Sequence, residues 1–171
     1  MNISQYKSKI ASRYIPTDPE QIGLKIIEAD YYFTSVKYDG YFAALEIKNG
    51  KAVLFDRNGN PKEIKAITNA AKTIEGDIML AGELCVFENG KSTTHREVSA
   101  ALDEPDKYDI RFGTFDIISY NGEEPTFDAK EKVELIKKIA TTKEVFYIEQ
   151  TLMESRKDII TFYNGIAGKE E

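Results

Sequence analysis

Val36-Lys37-Tyr38-Asp39-Gly40-Tyr41 sets a lysine and a carboxylate two positions apart and closes them with a glycine. In extended backbone, residues two apart face the same side, so Lys37 and Asp39 are predicted to share one pocket while Gly40 lets the chain turn away from its occupant. A lysine amine becomes a nucleophile when its proton is removed or when neighbouring cations or desolvation lower its pKa, so a lysine in a pocket at a strand end can form a covalent intermediate. The competing reading is a surface strand ending in a turn, and K-x-D-G by itself does not decide between them. Glu83 is the other conspicuous group, one acidic residue inside the apolar run Ala81-Gly82-Glu83-Leu84. A buried carboxylate needs a partner or a cation, so Glu83 is either a pocket ligand or an outward-facing residue of a half-exposed strand. His95, beside Arg96 at a helix start, reads as a solvated cap or surface residue, and Cys85 as a small core residue.

The elements that must position these groups can be read from turn chemistry and periodicity. Residues 1–13 are polar with scattered Ile and Tyr, fitting a loose helix or an arm. Asp18 as cap, Pro19 at the first helical position and Gln21 reaching back predict a helix running to about Ala29. The Tyr, Phe, Thr and Val from Tyr31 onward predict a strand that delivers Lys37. Residues 41–48 and 51–57 flank Asn49-Gly50, a strong hairpin signal, and Asn58-Gly59 makes a second turn after Arg57. Helices are predicted over 63–75, 94–102, 128–140 and 154–166, and strands over 78–87, 108–119 and 145–149. Glu88-Asn89-Gly90-Lys91 and Asn121-Gly122 supply two more turns. Strands in antiparallel hairpins with helices between them, lacking a regular βαβ alternation, define an α+β domain.

Composition sets the limits. The 171 residues are 42% apolar with 10 Tyr and 9 Phe, enough for one core. No apolar run reaches the length of a membrane span, and the polar start is unlike a signal peptide, so a cytoplasmic protein is expected. One cysteine and one histidine cannot form a zinc site of the usual kind, which leaves carboxylates for any metal. A net charge of −6 argues against an autonomous nucleic-acid binder, although a basic groove can be local.

Taken in order, Lys37-Tyr38-Asp39-Gly40, Arg57-Asn58-Gly59, Gly82-Glu83-Leu84 and Phe112-Gly113-Thr114-Phe115-Asp116-Ile117 resemble the adenylation domain of ATP-dependent DNA ligases. That domain belongs with RNA ligases and mRNA capping enzymes among the covalent nucleotidyltransferases. The resemblance covers residues 31–171 and leaves 1–30 as an N-terminal helical lead-in. It implies an ATP-grasp-like α+β fold of antiparallel sheets with inserted helices, incomplete at its C-terminal side, and the use of ATP and Mg²⁺.

Under that resemblance Lys37 is the nucleophile that attacks the α-phosphate of ATP, and Asp39 belongs to the same catalytic element. Arg57 stands where ligases contact the 5′-phosphate of a nick, Glu83 where they hold the ribose or the metal, and Phe115 where a ring stacks on adenine. On their own, Arg57 also fits a turn-flanking surface charge and Phe115 a core residue. The implied partners are nicked duplex DNA, or RNA, and a C-terminal OB domain; a monomer is expected.

Two departures stand out. The motif usually reads K-x-D-G-x-R, and its sixth position here is Phe42, which removes one phosphate-binding cation. The chain also ends at Ala167-Gly168-Lys169-Glu170-Glu171, where the family shows an E-G-x-V element and then a lysine-bearing strand. Glu171, or else Glu170, is read as the metal-binding glutamate of that element. The expected activity is that of an ATP-dependent DNA ligase sealing nicks through lysyl-AMP, with this stretch alone unable to seal. An RNA ligase of the same superfamily and a non-catalytic nucleotide-binding module are the alternatives.

Overall fold

The computed structural model describes residues 1–12, 17 and 19–167. Turn chemistry accounts for most of its order. Asn49-Gly50, Asn89-Gly90 and Asn121-Gly122 hold positive φ at both residues, the twist that matches two-residue hairpins. After a short strand β1 (Tyr32–Thr34), Asn49-Gly50 joins β2 (Tyr41–Lys48) to β3 (Lys51–Asp56), and β4 (Pro61–Lys62) folds back on β3. Asn89-Gly90 joins β5 (Ile78–Glu88) to β6 (Lys91–Ser92), and Asn121-Gly122 comes directly after β7 (Ile110–Tyr120). With β8 (Val145–Tyr147) the main sheet runs β4-β3-β2-β5-β7-β8, and β6 pairs with β5.

The antiparallel expectation holds with one exception, since β8 lies parallel to β7. Helix α5 (Ala129–Ile139) lies in the connection between them and returns the chain to the same sheet end. β9 (Thr151–Met153) has no counterpart in the strands expected from sequence; it pairs with β1 in a separate two-stranded sheet.

The sheet has two faces. Alternate residues Ala43, Leu45, Ile47, Leu80, Leu84 and Phe112 belong to the larger core, which α3 (Lys65–Ala71) and α4 (His95–Ala101) cover with Ile67, Ala71, Val98 and Ala101. The opposite face carries a smaller cluster of Ala44, Ala81 and Ile118, with Phe42 and Phe115 against it. Helix α1 (Ile3–Ala11) covers that cluster through Ile3 and Tyr6. Its start is fixed by a capping box, in which the Asn2 side chain accepts from the Gln5 N–H and the Gln5 side chain accepts from the Asn2 N–H, both at 2.9 Å.

The helix expected between Asp18 and Ala29 is much shorter. Asp18 lies outside the described residues. The chain forms a 3-10 turn over Pro19–Gln21 and then a single α-turn, α2 (Ile22–Lys25). Gln21 makes no capping bond and no residue of α2 is buried, so with Gly23 inside it the segment has neither propensity nor packing to extend it. The final helix, α6, is Arg156–Ala167. No helix of the described chain is long and apolar enough to cross a membrane.

Candidate active site

Lys37 does not sit on a strand, contrary to the expectation from Tyr31 onward. β1 ends at Thr34, and residues 35–40 form a loop that passes from the small sheet to the main one. Strand alternation therefore does not orient Lys37 and Asp39. Side-chain anchors hold the loop instead. Tyr38 enters an aromatic trio with Phe87 and Phe146, at ring centroid distances of 6.3 and 5.9 Å, and Arg111 lies over Phe87 at 4.0 Å. Each such contact adds modestly to the apolar area buried. Asp39 Oδ2 accepts the backbone N–H of His95 at 3.0 Å, which ties the loop to the first residue of α4.

Gly40 has a different part from the one predicted. A Cβ there would lie 2.3 Å from the Leu84 carbonyl oxygen and 2.6 Å from Glu83 Cγ. The missing side chain thus lets the loop press against β5, and the Gly40 N–H donates to the Glu83 carboxylate.

The β-register then lines up a row across the sheet. Phe42 on β2 is opposite Glu83 on β5, which is opposite Gly113 on β7. Arg57 follows Asp56, whose register partner is Ala43, and so stands at the β3 end of the same row. Glu83 is half-buried. Burial raises its pKa above the usual glutamate range, against the pull of the Lys37 ammonium and the Gly40 N–H; Asp39 reinforces the rise. Lys37 and Asp39 are thus each close enough to Glu83 for their charges to act on it. The same surroundings push the buried Cys85 thiol up to about 12, which leaves it a packed, unreactive core residue, as read from the sequence.

Arg57 is exposed and borders a cleft of about 280 Å³ with Tyr41, Phe42, Asn58, Lys62 and His95. The His95 ring stacks on Tyr41 with centroids 4.0 Å apart. Phe115 lies farther along the row's face. The pairing steps from Gly82 with Thr114 to Ala81 with Asp116, so Phe115 is the extra residue of a β-bulge, a device that re-aims a side chain. Its carbonyl accepts from Gln150 Nε2 at 2.8 Å. Its ring borders a groove of about 460 Å³ with Phe33, Ser35, Tyr6 and Gln150.

Tyr38, Ser35 and Gln150 escaped the sequence reading. Tyr38 alone left a signal there, as an aromatic placed between the lysine and the aspartate. Glu171 lies outside the described residues, and among those described no group of three His, Cys, Asp or Glu is arranged to hold a metal. Glu83 with Asp39 beside it still suits Mg²⁺, which binds through one or two carboxylates when phosphates supply the other oxygens.

The seven-stranded sheet with its covering helices is the fold found in DNA-ligase domains. Solved structures that share it include ligases. Pmar-Lig_Pre superposes with a TM-score of 0.68 at 16% identity, over 95% of this chain and 44% of that one. The ligase domain of LigD from M. tuberculosis gives a TM-score of 0.57 at 15% identity, over 78% and 46%. Mycobacterial DNA ligase D complexed with ATP and MES gives 0.55 at 17%, over 79% and 45%. The chain therefore spans less than half the length of the ligase structures it matches. No protein-family model matches the sequence, and no curated protein is similar to it in sequence.

Proposed function

We propose that this chain is part of an ATP-dependent polynucleotide ligase, most simply a DNA ligase, in which Lys37 carries AMP. The observation that supports this reading most directly is the meeting of Lys37, Asp39 and Glu83 at one place on a ligase-type sheet. The Lys37 amine gives up its proton and attacks the α-phosphate of ATP. A nitrogen–phosphorus bond forms, the bond to the bridging oxygen breaks, and pyrophosphate leaves. AMP then passes to the 5′-phosphate of a nick, and the 3′-hydroxyl displaces it. Such chemistry depends on position and on charge stabilisation. Mg²⁺, held by Glu83 and by Glu171 farther on, would neutralise phosphate charge. Asp39 holds the lysine loop to α4, Phe115 offers its face to adenine, and Arg57 meets the 5′-phosphate.

Mass spectrometry of the full-length protein after incubation with ATP and Mg²⁺ should find one AMP adduct, absent in Lys37→Ala. An adduct that survives Lys37→Ala removes Lys37 from the mechanism, and no adduct in the unaltered protein removes the enzyme.

Phe42 supports a second reading, an RNA ligase, because its ring packs into the smaller cluster and leaves no cation at that place. Comparing the sealing of nicked DNA and nicked RNA by the adenylated protein separates the two.

A further inference from the structure

The aromatic residue at position 42 and the helix before it form one arrangement. Tyr6, only 3% exposed, stacks on Phe42 with centroids 6.3 Å apart and donates its hydroxyl to Asp116 Oδ2 at 2.9 Å. α1 is thereby fixed to the sheet. Residues 4, 7, 8 and 11 make one stripe of a helix, and Ser4, Lys7, Ser8 and Ala11 face Arg57 and Asn58 across a cleft of about 430 Å³.

The cleft has uncompensated positive charge. Lys7 Nζ donates to the Arg57 carbonyl oxygen at 3.1 Å, a neutral acceptor that leaves the ammonium charge standing. Among the described residues neither Lys7 nor Arg57 has a carboxylate at ion-pair distance. No acidic side chain among them lines the cleft. The nearest in sequence, Asp56, is engaged within its own turn, where it accepts the N–H groups of Asn58 and Asn60 at 2.8 and 2.9 Å. In a chain of net charge −6, two cations with no acid at ion-pair distance among the described residues, with hydroxyl and amide donors around them, suit an anionic ligand. Lys37, Asp39 and Glu83 do not border this cleft, so it lies apart from the residues assigned to the nucleotide.

We propose that the α1 cleft binds a phosphodiester of the polynucleotide substrate. Lys7 neutralises the phosphodiester next to the 5′-phosphate that Arg57 meets, while Ser4, Ser8 and Asn58 donate hydrogen bonds that position it without reading sequence. The helix in this way supplies a cation near the place where position 42 has none. The inference rests on the polynucleotide substrate of the proposed function, and its test is separable from that of the enzyme.

The test is binding of the full-length protein to a fluorescent, 5′-phosphorylated nicked duplex across a salt series. Lys7→Ala should weaken binding about 5-fold and reduce the slope of log affinity against log salt by about one. Lys7→Arg should restore both. Lys9→Ala, which removes the same charge from the side of α1 that pairs with Glu124, should change neither. Equal effects of Lys7→Ala and Lys9→Ala, or none from Lys7→Ala, overturn the site. The ATP concentration needed for Lys37 adenylation is measured in the same variants. A higher requirement in Lys7→Ala with unchanged duplex binding assigns the cleft to the triphosphate and overturns the inference. A Lys7-dependent salt slope in a protein that never takes up AMP leaves the site standing and removes the ligase.

Discussion

Glu83 is the residue on which the two readings of the sequence diverged, pocket ligand or outward surface, and its surroundings give a sign that can be measured. A carboxyl whose pKa is raised on folding holds its proton more tightly in the folded state. Its contribution therefore favours folding at low pH and declines as pH rises from the ordinary glutamate range through the raised value. At neutral pH the charged group opposes the fold. Glu83→Gln should accordingly unfold at a temperature no lower than the unaltered protein at pH 7, yet lose adenylation by about 100-fold or more if the carboxylate holds metal and phosphate charge. A large fall in melting temperature would mean that Glu83 is structural. Lys37 and Asp39 drew notice in the sequence because a lysine and a carboxylate two positions apart stand out in a chain, and Glu83 because it interrupts an apolar run. Tyr6 was not: its partner Asp116 lies 110 residues away, and nothing local distinguishes it from the other tyrosines.

Among the elements, the Asn-Gly hairpins could be read from sequence because both central residues favour positive φ. The lysine loop could not. β1 and β9 have three residues each and pair only with one another, and pairing over such a distance leaves no local pattern. The bulge at Phe115 was hidden for a related reason, since a bulge exists only relative to the partner strand's register. The loop's dependence on close approach makes Gly40 its most exacting position. In Gly40→Ala the new methyl meets a backbone carbonyl 2.3 Å away, and β5 lies between two other strands and has little room to yield. The substitution should cost about 2 kcal/mol in denaturant titration and should displace Lys37 enough to abolish the AMP adduct. Full adduct formation in Gly40→Ala would mean that the loop does not rely on this contact.

At the scale of the whole molecule, an ion-pair group at the start of β7 connects the sheet to the loop. Asp109 pairs with Arg111 at 2.6 Å and with Lys143 at 3.0 Å. Hydrogen bonding by Arg111 outweighs partial burial and holds the Asp109 carboxyl at about 2. Arg111 in turn covers Phe87, a ring in contact with Tyr38. The depressed pKa means that this stabilisation is complete above the ordinary aspartate range and is lost as pH falls through it toward 2. Asp109→Asn should cost about 1 kcal/mol at neutral pH, a discounted figure because the carboxylate is about a third exposed. It should also flatten the acid limb of a plot of melting temperature against pH. An unchanged acid limb would show that other carboxylates govern acid unfolding.

The pairing of Thr34 with Thr151 also governs when the lysine loop can exist during synthesis. The small sheet that anchors one side of the loop draws one strand from near the beginning of the chain and the other from residues made more than a hundred positions later. Until β9 has left the ribosome, β1 has no partner, and a three-residue strand does not persist alone. A growing chain therefore carries Lys37 through the synthesis of more than a hundred further residues without the small sheet that anchors its loop, and the surroundings of Lys37 are completed only after the main sheet has been made.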